Sequence, residues 1–391
     1  MKFIDEVEIQ NKRVLLRVDY NIPLNRGDIV NDERIRQSLP TITHLLKHHN
    51  SLILLSHLGR PHGHDNALSL APVAHRLEKL LDGVTVTLIP DLEHLPMEIT
   101  RTGNLSRIFL LENIRFFKGE EKNDRDFVQQ LASLADVYVN DAFSASHRPS
   151  ASIVGLPKVL PAYGGLLLKK EVEMIGKAIS HPQHPFVAIL GGAKISTKLH
   201  LITKLIDLAD FILLGGGMAN TFLLALKDEV GQSLVEKQEV GHALHLLELA
   251  KHKKTRLLLP TDVIVGSKDG LHASHKLIQQ VTKHDRIFDI GVETQAIFAQ
   301  AILQAKTIIW NGPMGYFETQ LYGRGTDFVY YAITANQEAT SIIGGGETIT
   351  ALAGKDNLDK ITHISTGGGA MLEYIENGTL PGLDALNQSK S

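Results

Sequence analysis

The sequence contains no cysteine, which excludes disulfide bonds, thiolate metal sites and cysteine nucleophiles. No apolar run approaches the roughly 20 residues that a membrane-spanning helix needs. Residues 1–12 alternate charges and lack the apolar core of a secretory signal peptide. Together these absences predict a cytoplasmic protein that has no membrane partner.

The motifs of several familiar enzyme classes are also missing. There is no G-x-x-x-x-G-K-[ST] phosphate loop, no G-x-G-x-x-G dinucleotide fingerprint, no G-x-S-x-G elbow and no protein-kinase H-R-D or D-F-G motif. Nineteen histidines are present, but we find no paired metal-ligand spacing such as H-E-x-x-H. The net charge of −3 gives no reason to expect a nucleic acid as a partner.

What the chain does have is the length and composition of a globular protein with two domains. Its 391 residues are too many for one ordinary core, and 43% of them are hydrophobic while 21% are charged. Arginine is unevenly spread, since twelve of the fifteen lie between Arg13 and Arg148. Because arginine matches anionic oxygens with a planar fork, we interpret the N-terminal half as binding a small anion through side chains. An uneven spread of solvated arginines remains the alternative.

Four apolar stretches in the C-terminal half run directly into clustered glycines. They are 187–190, 211–214, 341–343 and 363–366. Such stretches are typical of buried parallel strands, and glycine at a strand end lets backbone N–H groups approach a ligand. A helix that follows the turn directs its N-terminus at the same point. We therefore predict a crevice in which backbone groups hold a larger phosphate ligand.

Strands and helices alternate in the N-terminal half as well, which predicts a doubly wound parallel sheet. The predicted strands are 14–18, 52–55, 84–88, 108–111 and 137–139, and the predicted helices are 34–48, 72–81 and 124–134. Residues 164–180 have helical periodicity between two prolines, and we interpret them as a helix that connects two domains. The short, partly apolar tail 380–386 is expected to pack onto a domain that is already formed.

Polar residues follow four of the N-terminal strands at the point where each strand ends. Right-handed crossovers bring the carboxyl ends of parallel strands to one edge, where ligands of open α/β sheets bind. These residues are Asp19, Asn21, His57, Arg60, Asn113, Arg115, Asn140 and Arg148. Arg17 lies inside its strand, so we expect it to pair with a carboxylate in a structural role.

In the C-terminal half, Gly191 and Gly192 precede Lys194, and Lys198 follows four residues later. We predict that both lysines lie on one face of a helix that opens here, where their charges suit a polyphosphate. A solvated helix face is the alternative. The loop 310–318 follows a predicted strand at 307–309 and carries the only tryptophan, whose side chain can equally belong to the core.

Taken together, these segments closely resemble the phosphoglycerate kinase family. They occur in the family's order and span nearly the whole chain. The matching segments are 12–23 (KRVLLRVDYNIP), 34–36 (RIR), 56–61 (SHLGRP), 111–116 (LENIRF), 140–143 (NDAF), 191–198 (GGAKISTK), 215–219 (GGGMA), 310–318 (WNGPMGYFE), 344–348 (GGGET) and 365–370 (STGGGA).

The resemblance implies two Rossmann-like domains, each a doubly wound parallel sheet, joined by a helix and a hinge. It implies an N-terminal domain at 1–168 that binds 3-phosphoglycerate, an interdomain helix at 169–182 and a nucleotide-binding domain at 183–375. A C-terminal tail at 376–391 would return to the first domain. It also implies a monomer that closes about its hinge.

Site residues follow from the resemblance by matched position. Those expected at phosphoglycerate are Asp19, Asn21, Arg34, His57, Leu58, Gly59, Arg60, Arg115 and Arg148. Those expected at the nucleotide are Gly192, Lys194, Lys198, Gly216, Asn311, Pro313, Glu318, Gly345, Gly346, Glu347 and Thr348. Those expected to act in catalysis are Arg34, Lys194, Gly346 and Gly369.

The implied reaction is reversible phosphoryl transfer in glycolysis, from 1,3-bisphosphoglycerate to MgADP, giving 3-phosphoglycerate and MgATP. Transfer is expected to be direct and in line, without a covalent enzyme intermediate. Two of the three departures from the family's usual residues concern the expected site, and the third, at 289–294 (DIGVET in place of D-I-G-P-x-T), is expected to be a loop change without catalytic meaning. Ser150 stands where a second histidine is common, and Glu347 stands where aspartate is expected near Mg²⁺.

Two alternatives come from other classes of protein. A dehydrogenase of α/β fold would carry a G-x-G-x-x-G fingerprint, which is missing. A catalytically inactive binding protein with this fold would be expected to have lost Arg34 or Lys194, and both are present.

Overall fold

The computed structural model describes residues 1–93, 108–267, 269 and 271–389. It divides into two compact units, of which the first comprises Met1–Glu173 with Thr379–Ser391 and the second comprises Met174–Gly378. Each unit is built on a six-stranded parallel sheet, which confirms the predicted α/β class with two parallel-sheet domains. The division falls inside the helix that we expected to connect the domains, whereas the exact domain boundaries stay a prediction.

The first unit forms its sheet from the predicted apolar stretches and one further short strand. Neighbouring strands pair in parallel, so that Val14 lies between Leu52 and Val137. Strands β2 (Leu24–Asn25) and β3 (Asp28–Ile29) form a separate small hairpin. The sheet, in the order β5-β6-β4-β1-β7-β8, consists of β1 (Arg13–Arg17), β4 (Ser51–Leu55), β5 (Val86–Ile89), β6 (Ile108–Leu111), β7 (Val137–Asn140) and β8 (Ala162–Gly164).

Helices of the first unit bury apolar residues spaced by three or four positions. The first helix buries Ile35, Ile42 and Leu45 in the core. Another helix is capped at its N-terminus by Asp124, whose side chain accepts a hydrogen bond from the N–H of Phe127 at 2.9 Å. The helices are α1 (Glu33–Lys47), α2 (Ala71–Leu80), α3 (Gly119–Lys122), α4 (Arg125–Ala132) and α5 (Leu166–Ser180), the last of which continues into the second unit.

The second unit contains its own six-stranded parallel sheet and a small antiparallel sheet that we did not predict. The parallel sheet, in the order β11-β10-β9-β15-β16-β17, consists of β9 (Phe186–Leu190), β10 (Phe211–Leu214), β11 (Arg256–Leu258), β15 (Thr307–Asn311), β16 (Thr340–Gly344) and β17 (His363–Ile364). The antiparallel sheet, in the order β13-β12-β14, consists of β12 (Asp262–Val265), β13 (Ser274–Leu277) and β14 (Ile287–Ile290).

Helices follow most strands of the second unit, and Trp310 is fully buried in the core between them. These helices are α6 (Leu199–Leu208), α7 (Gly216–Ala225), α8 (Val240–Lys253), α9 (Val292–Gln304), α10 (Arg324–Ala335), α11 (Gly346–Leu352) and α12 (Gly369–Asn377). None of the helices that the structure describes combines the length and the apolar character needed to cross a bilayer.

The last helix, α13 (Pro381–Asn387), belongs to the first unit. The N–H of Gly382 donates to the carbonyl of Ser146 at 2.8 Å. The side chain of Ala385 joins a small apolar cluster with Ala145 and Ile153. The tail is therefore fixed to the loop that follows β7.

Candidate active site

Four adjacent strands of the first sheet bring the predicted polar residues to one edge. Strands β6, β4, β1 and β7 are neighbours and run parallel, so their carboxyl ends lie side by side. Asp19 follows β1, His57 and Arg60 follow β4, Arg115 follows β6, and Arg148 lies in the loop after β7. The edge of this sheet thus gathers guanidinium groups from separate parts of the chain.

Asp19 is the acidic centre of this group. Its carboxylate forms an ion pair with Arg34 on helix α1 and accepts a hydrogen bond from the hydroxyl of Ser144. Burial alone would raise the pKa of Asp19, but the charge of Arg34 and these hydrogen bonds hold that pKa well below its ordinary range. Asp19 is therefore ionised, and it fixes Arg34 at the edge of the sheet.

His57 is buried beside Asp19, with 4.0 Å between its Nδ1 and Oδ1 of the aspartate. Burial lowers the pKa of His57, and although Asp19 opposes this shift, the charge of Arg17 adds to it. The ring is therefore neutral at physiological pH. Nη2 of Arg17 lies 3.2 Å from Nδ1 of His57. Because arginine can only donate, Nδ1 accepts this hydrogen bond and Nε2 carries the proton.

The expected pairing of Arg17 with a carboxylate is wrong. Its Nε donates instead to the hydroxyl of Ser152 at 2.9 Å, and its Nη2 donates to His57. Only through Ser152 does it reach a carboxylate, because that hydroxyl lies 2.6 Å from Oε1 of Glu120. Arg17 is 2% exposed, yet it lines a cavity. It therefore belongs to the candidate site, although we did not predict it there.

This cavity has a volume of 270 Å³, and its wall carries three guanidinium groups together with the carboxylates of Glu120 and Glu121. Arg17, His57, Arg115 and Arg148 line it together with Ser150. Burial lowers the pKa of the Arg115 guanidinium, and the nearby charge of Arg148 lowers it further. Guanidinium groups that repel one another around a small cavity form a site suited to a multiply charged anion.

The loop after β4 is held in place by the other predicted residues. The side-chain oxygen of Asn21 accepts a hydrogen bond from the N–H of Gly59 at 2.9 Å, and Arg115 donates to the carbonyl of Gly59. Leu58 is buried, whereas Arg60 is exposed at the rim. Gly59 has a φ of +62°, and a Cβ there would meet the side chain of Leu68 at 2.8 Å, so this turn requires glycine.

Glu120 also lines this cavity and was not identified from the sequence. It is 2% exposed and accepts hydrogen bonds from the hydroxyl of Ser150 at 2.7 Å and from the N–H of Ser152 at 2.9 Å. With the hydroxyl of Ser152, three donors satisfy this one carboxylate. Ser150, which replaces a residue that is often histidine, therefore donates its hydroxyl to Glu120.

The second unit contains a larger cavity of 560 Å³. Of the predicted nucleotide residues, it is lined by Gly192, Gly216, Pro313, Glu318 and Glu347. Its wall also includes residues that we did not predict, namely Leu234, Val235, Val263, Phe288, Asp289 and Tyr316. Three of them lie on the antiparallel sheet, whose strands β12 and β14 each contain an aspartate and are followed by a single glycine instead of a cluster.

The prediction that Lys194 and Lys198 share one face of a helix is wrong. Helix α6 begins at Leu199, and Lys198 occupies its N-cap, while Lys194 lies in the preceding turn with an exposed side chain. A turn, in which the N–H of Lys198 donates to the carbonyl of Ile195 at 2.8 Å, precedes the helix. The two lysines consequently occupy different environments.

Lys198 lies against the backbone of the glycine turn. Its Nζ donates to the carbonyl of Gly191 at 2.8 Å and to that of Asn311 at 3.3 Å. Burial lowers the pKa of Lys198 to about 8, although Glu347 opposes the shift. A Cβ on Gly192 would lie 3.6 Å from the Glu347 carboxylate and 3.7 Å from Nζ of Lys198, so the two side chains flank one glycine.

The turn after β16 is ordered by its neighbour strand. The side-chain amide of Asn311 donates to the Gly344 carbonyl at 2.9 Å, and the N–H of Gly312 donates to the hydroxyl of Thr348 at 2.7 Å. Gly345 has a φ of +101° and approaches the Asn311 amide closely. Asn311, Gly345 and Thr348 therefore shape the turn without lining the cavity.

Both glycines that are expected to act in catalysis lie at the starts of helices. Gly346 is the first residue of α11 and Gly369 is the first residue of α12. A Cβ at either position would meet nothing within 4 Å. The space beside both backbones is open, which leaves room for a ligand to approach.

Asp289 is a buried acid in the wall of the larger cavity. It accepts hydrogen bonds from the N–H of Gly325 at 2.7 Å and from that of Ile290 at 2.9 Å. Burial raises the pKa of Asp289 to about 8. It thereby joins β14 to the start of α10 beside the cavity.

The residues of the larger cavity fit a magnesium ion that arrives with a nucleotide. Glu347 supplies an exposed carboxylate in the cavity wall. Mg²⁺ is commonly held by one or two carboxylates together with phosphate oxygens and water. Among the described residues no group of three or more potential metal ligands occurs.

Comparison with known proteins identifies the family. The family model for phosphoglycerate kinase matches residues 4–378. The phosphoglycerate kinases of Dictyoglomus turgidum and Moorella thermoacetica are each 46% identical to this chain, over 383 residues (97% of this chain, 96% of the relative) and 389 residues (98% of each). Among solved structures, the phosphoglycerate kinase of Coxiella burnetii has a TM-score of 0.88 at 40% identity, with 98% of both chains covered. That of Pyrococcus horikoshii has a TM-score of 0.82 at 32% identity, covering 99% of this chain and 98% of its own. The chain therefore belongs to the phosphoglycerate kinase family of phosphoryl-transferring enzymes.

Proposed function

We propose that this chain catalyses reversible phosphoryl transfer from 1,3-bisphosphoglycerate to MgADP, giving 3-phosphoglycerate and MgATP in glycolysis. The observation that carries this proposal is the chemical contrast between its two cavities. Three guanidinium groups outnumber the two carboxylates in the wall of the smaller cavity, whereas the wall of the larger cavity combines glycine backbone and apolar side chains with a few polar and charged groups. The first suits a small, highly charged acid, and the second suits a nucleotide.

In the first unit, Arg17, Arg115 and Arg148 bind the phosphate of phosphoglycerate. Their shared cavity and mutual repulsion in its absence support this role. The other members of the phosphoglycerate site are Asp19, Asn21, Arg34, His57, Leu58, Gly59 and Arg60. Arg34, fixed by Asp19, neutralises charge that develops during transfer.

In the second unit, the apolar wall at Leu234, Val235 and Phe288 accepts the base, and Glu318 binds the ribose. Lys198 and the turns at Gly192, Gly216 and Gly345–Thr348 contact the phosphates, supported by Asn311 and Pro313. Glu347 would hold the magnesium ion, which withdraws charge from the phosphate oxygens when it is bound. The exposed side chain of Lys194 interacts with the phosphoryl group during transfer, and the open backbones of Gly346 and Gly369 contribute to the same step.

The acceptor of the reverse reaction is a carboxylate, which is already deprotonated. The enzyme therefore needs no general base, and the neutral, hydrogen-bonded His57 is consistent with this. Catalysis then consists of positioning and charge neutralisation in a direct, in-line transfer. We further propose a cytoplasmic monomer in which hinge closure excludes water while the ligands react.

A coupled assay with MgATP and 3-phosphoglycerate tests the proposed activity. Phosphoglycerate-dependent turnover that disappears in Arg34→Ala supports it. If no turnover occurs at any concentration of nucleotide and phosphoglycerate, the chain is an inactive binding protein. Direct reduction of NAD by the purified chain would instead indicate a dehydrogenase. Transfer from ATP made chiral at the γ-phosphorus tests the single in-line step, for which inversion is expected and retention would contradict it.

A further inference from the structure

Helix α1 carries two histidines at its C-terminal end that share one face. His44 lies in its last turn and His48 is its C-cap, four residues later. The centroids of the two rings are 4.9 Å apart, and the ring planes are inclined by 51°. The two histidines are separated by four positions, and residues four apart on a helix are neighbours.

The separation of the rings matches what one shared metal ion requires. A metal bound by imidazole lies about 2.1 Å from nitrogen, hence roughly 3.2 Å from the centroid of a five-membered ring. Ligand angles of about 90° to 110° then place the two centroids roughly 4.5 to 5.2 Å apart. The observed 4.9 Å falls within this interval. The helix therefore presents both rings at a chelating distance without a change of backbone.

The charges around the pair are mixed. The carboxylate of Asp5 accepts a hydrogen bond from Lys169 at 2.8 Å, and Lys169 also lies 3.4 Å from Glu6. The hydrogen bond from Lys169 chiefly lowers the pKa of Asp5, and the proximity of His44 lowers it further. Lys47 adds a positive charge, whereas the negative end of the helix dipole favours a cation. The positive and negative charges near the pair roughly offset one another. The affinity for a metal ion must therefore come from the two imidazoles.

We propose that His44 and His48 form a surface site for a divalent transition-metal ion of the nickel, copper or zinc class. The two imidazoles supply two ligands, and water supplies the rest, because the described residues contain no cluster of three or more potential ligands. Imidazole nitrogen selects these ions over magnesium, which prefers oxygen ligands. The site is separate from the two cavities, whose walls contain neither histidine.

Footprinting of histidines with diethyl pyrocarbonate on the intact, untagged protein tests this site, with NiCl₂ as the probe. The modification of each histidine is followed by mass spectrometry as Ni²⁺ is increased at fixed pH. At saturation we expect His44 and His48 to react about tenfold more slowly, since a site that is nine-tenths occupied leaves about a tenth of its imidazole free. Equal concentrations of MgCl₂ should leave both rates unchanged.

The His48→Ala variant distinguishes chelation from single-histidine binding. Removing one ligand should raise the Ni²⁺ concentration that half-protects His44 by about tenfold or more, because the second imidazole binds intramolecularly. The matched control is His200→Ala on helix α6, which removes an exposed histidine that has no histidine four residues away. Half-protection of His44 at the same Ni²⁺ concentration in wild type and His48→Ala would overturn the proposal, as would protection no greater than that of His200.

Discussion

Arg17 and Glu120 never touch, but a single hydroxyl joins them. Oγ of Ser152 lies 2.9 Å from Nε of Arg17 and 2.6 Å from Oε1 of Glu120, and all three side chains are buried. The hydroxyl accepts from the guanidinium and donates to the carboxylate, so each group fixes the next. This relay holds one wall of the basic cavity in position before a ligand arrives.

Substituting Ser152→Ala should weaken binding of 3-phosphoglycerate. Arg17 would lose one hydrogen bond to its charged group, worth about 1.5–3 kcal/mol, which corresponds to a tenfold or larger rise in the KM for 3-phosphoglycerate. The KM for MgATP should change little. Initial rates with each substrate varied in turn measure both constants, and Ser133→Ala, which removes an exposed serine hydroxyl, is the control. If Ser152→Ala lowers the melting temperature but leaves both KM values unchanged, the relay serves only the fold.

Substituting Lys194→Ala should lower kcat at least about a hundredfold, because one charge that acts on the transition state is worth that much. Affinity for MgADP should fall much less, since an interaction made mainly during transfer contributes little to the ground state. Steady-state kinetics and calorimetry with MgADP separate the two effects. The control is Lys237→Ala, an exposed lysine elsewhere in this unit. A variant that keeps more than about a tenth of kcat would remove Lys194 from the catalytic step.

Affinity for ADP should decline as pH rises through about 8, the pKa to which burial lowers Lys198 in the free protein. Above this pH the side chain loses the charge that a phosphate needs, so binding must draw a proton from solution. Calorimetry near this pH in buffers of different ionisation enthalpy measures that uptake. In Lys198→Arg, whose guanidinium stays charged, the uptake should largely vanish. Equal uptake in both proteins would assign the proton to another group.

The lowered pKa of Lys198 also determines whether its contribution to the free energy of unfolding rises or falls with pH. Between the folded value of about 8 and the ordinary lysine value of 10.5, the unfolded chain holds more protons than the folded one. The contribution of Lys198 to the free energy of unfolding therefore rises with pH across this window. Chemical denaturation of wild type and Lys198→Met at several pH values should show a shallower rise in the variant.

Single substitutions should separate the two ligands. Arg115→Ala or Arg60→Ala should lower the affinity for 3-phosphoglycerate and leave the affinity for MgADP nearly unchanged. Each substitution removes a guanidinium group from the proposed phosphoglycerate site. Gly346→Val should do the reverse, since its side chain would fill open space beside the backbone that a phosphate approaches. Calorimetry on each binary complex measures this, with Arg125→Ala and Gly241→Val as exposed controls. Loss of ADP binding in Arg115→Ala with phosphoglycerate retained would reverse the assignment of ligands to units.

The parallel sheets could be predicted from sequence because their strands are continuous apolar runs that end in glycine or polar residues. Strands β9 and β16 follow this pattern. The antiparallel strand β13, with the sequence SHKL, has three polar residues out of four and lies at an edge, so no period identifies it. Phe288, on strand β14 of the same sheet, was missed because an aspartate interrupts the apolar run IFDI.

The residues that meet at the ends of parallel strands could be predicted from the sequence. The hydrogen-bond partners of individual side chains could be predicted less well. The sequence indicated that His57 and Arg115 would lie at one edge, because parallel topology requires it. It could not show that Arg17 extends toward Ser152, or that Ser150 donates to Glu120, since both contacts depend on the turn at Ala151–Gly155. The delayed start of α6, which separates Lys194 from Lys198, likewise depends on tertiary hydrogen bonds at the glycine turn.

The attachment of α13 to the loop after β7 makes the first unit discontinuous in sequence, with the whole second unit inserted before its last helix. During synthesis, residues up to Glu173 therefore emerge without the segment that packs against Ala145 and Ile153. The loop that carries Arg148 acquires its full support only after more than two hundred further residues have left the ribosome. The first unit, although its synthesis begins first, thus receives its last helix only after the whole second unit has been synthesised.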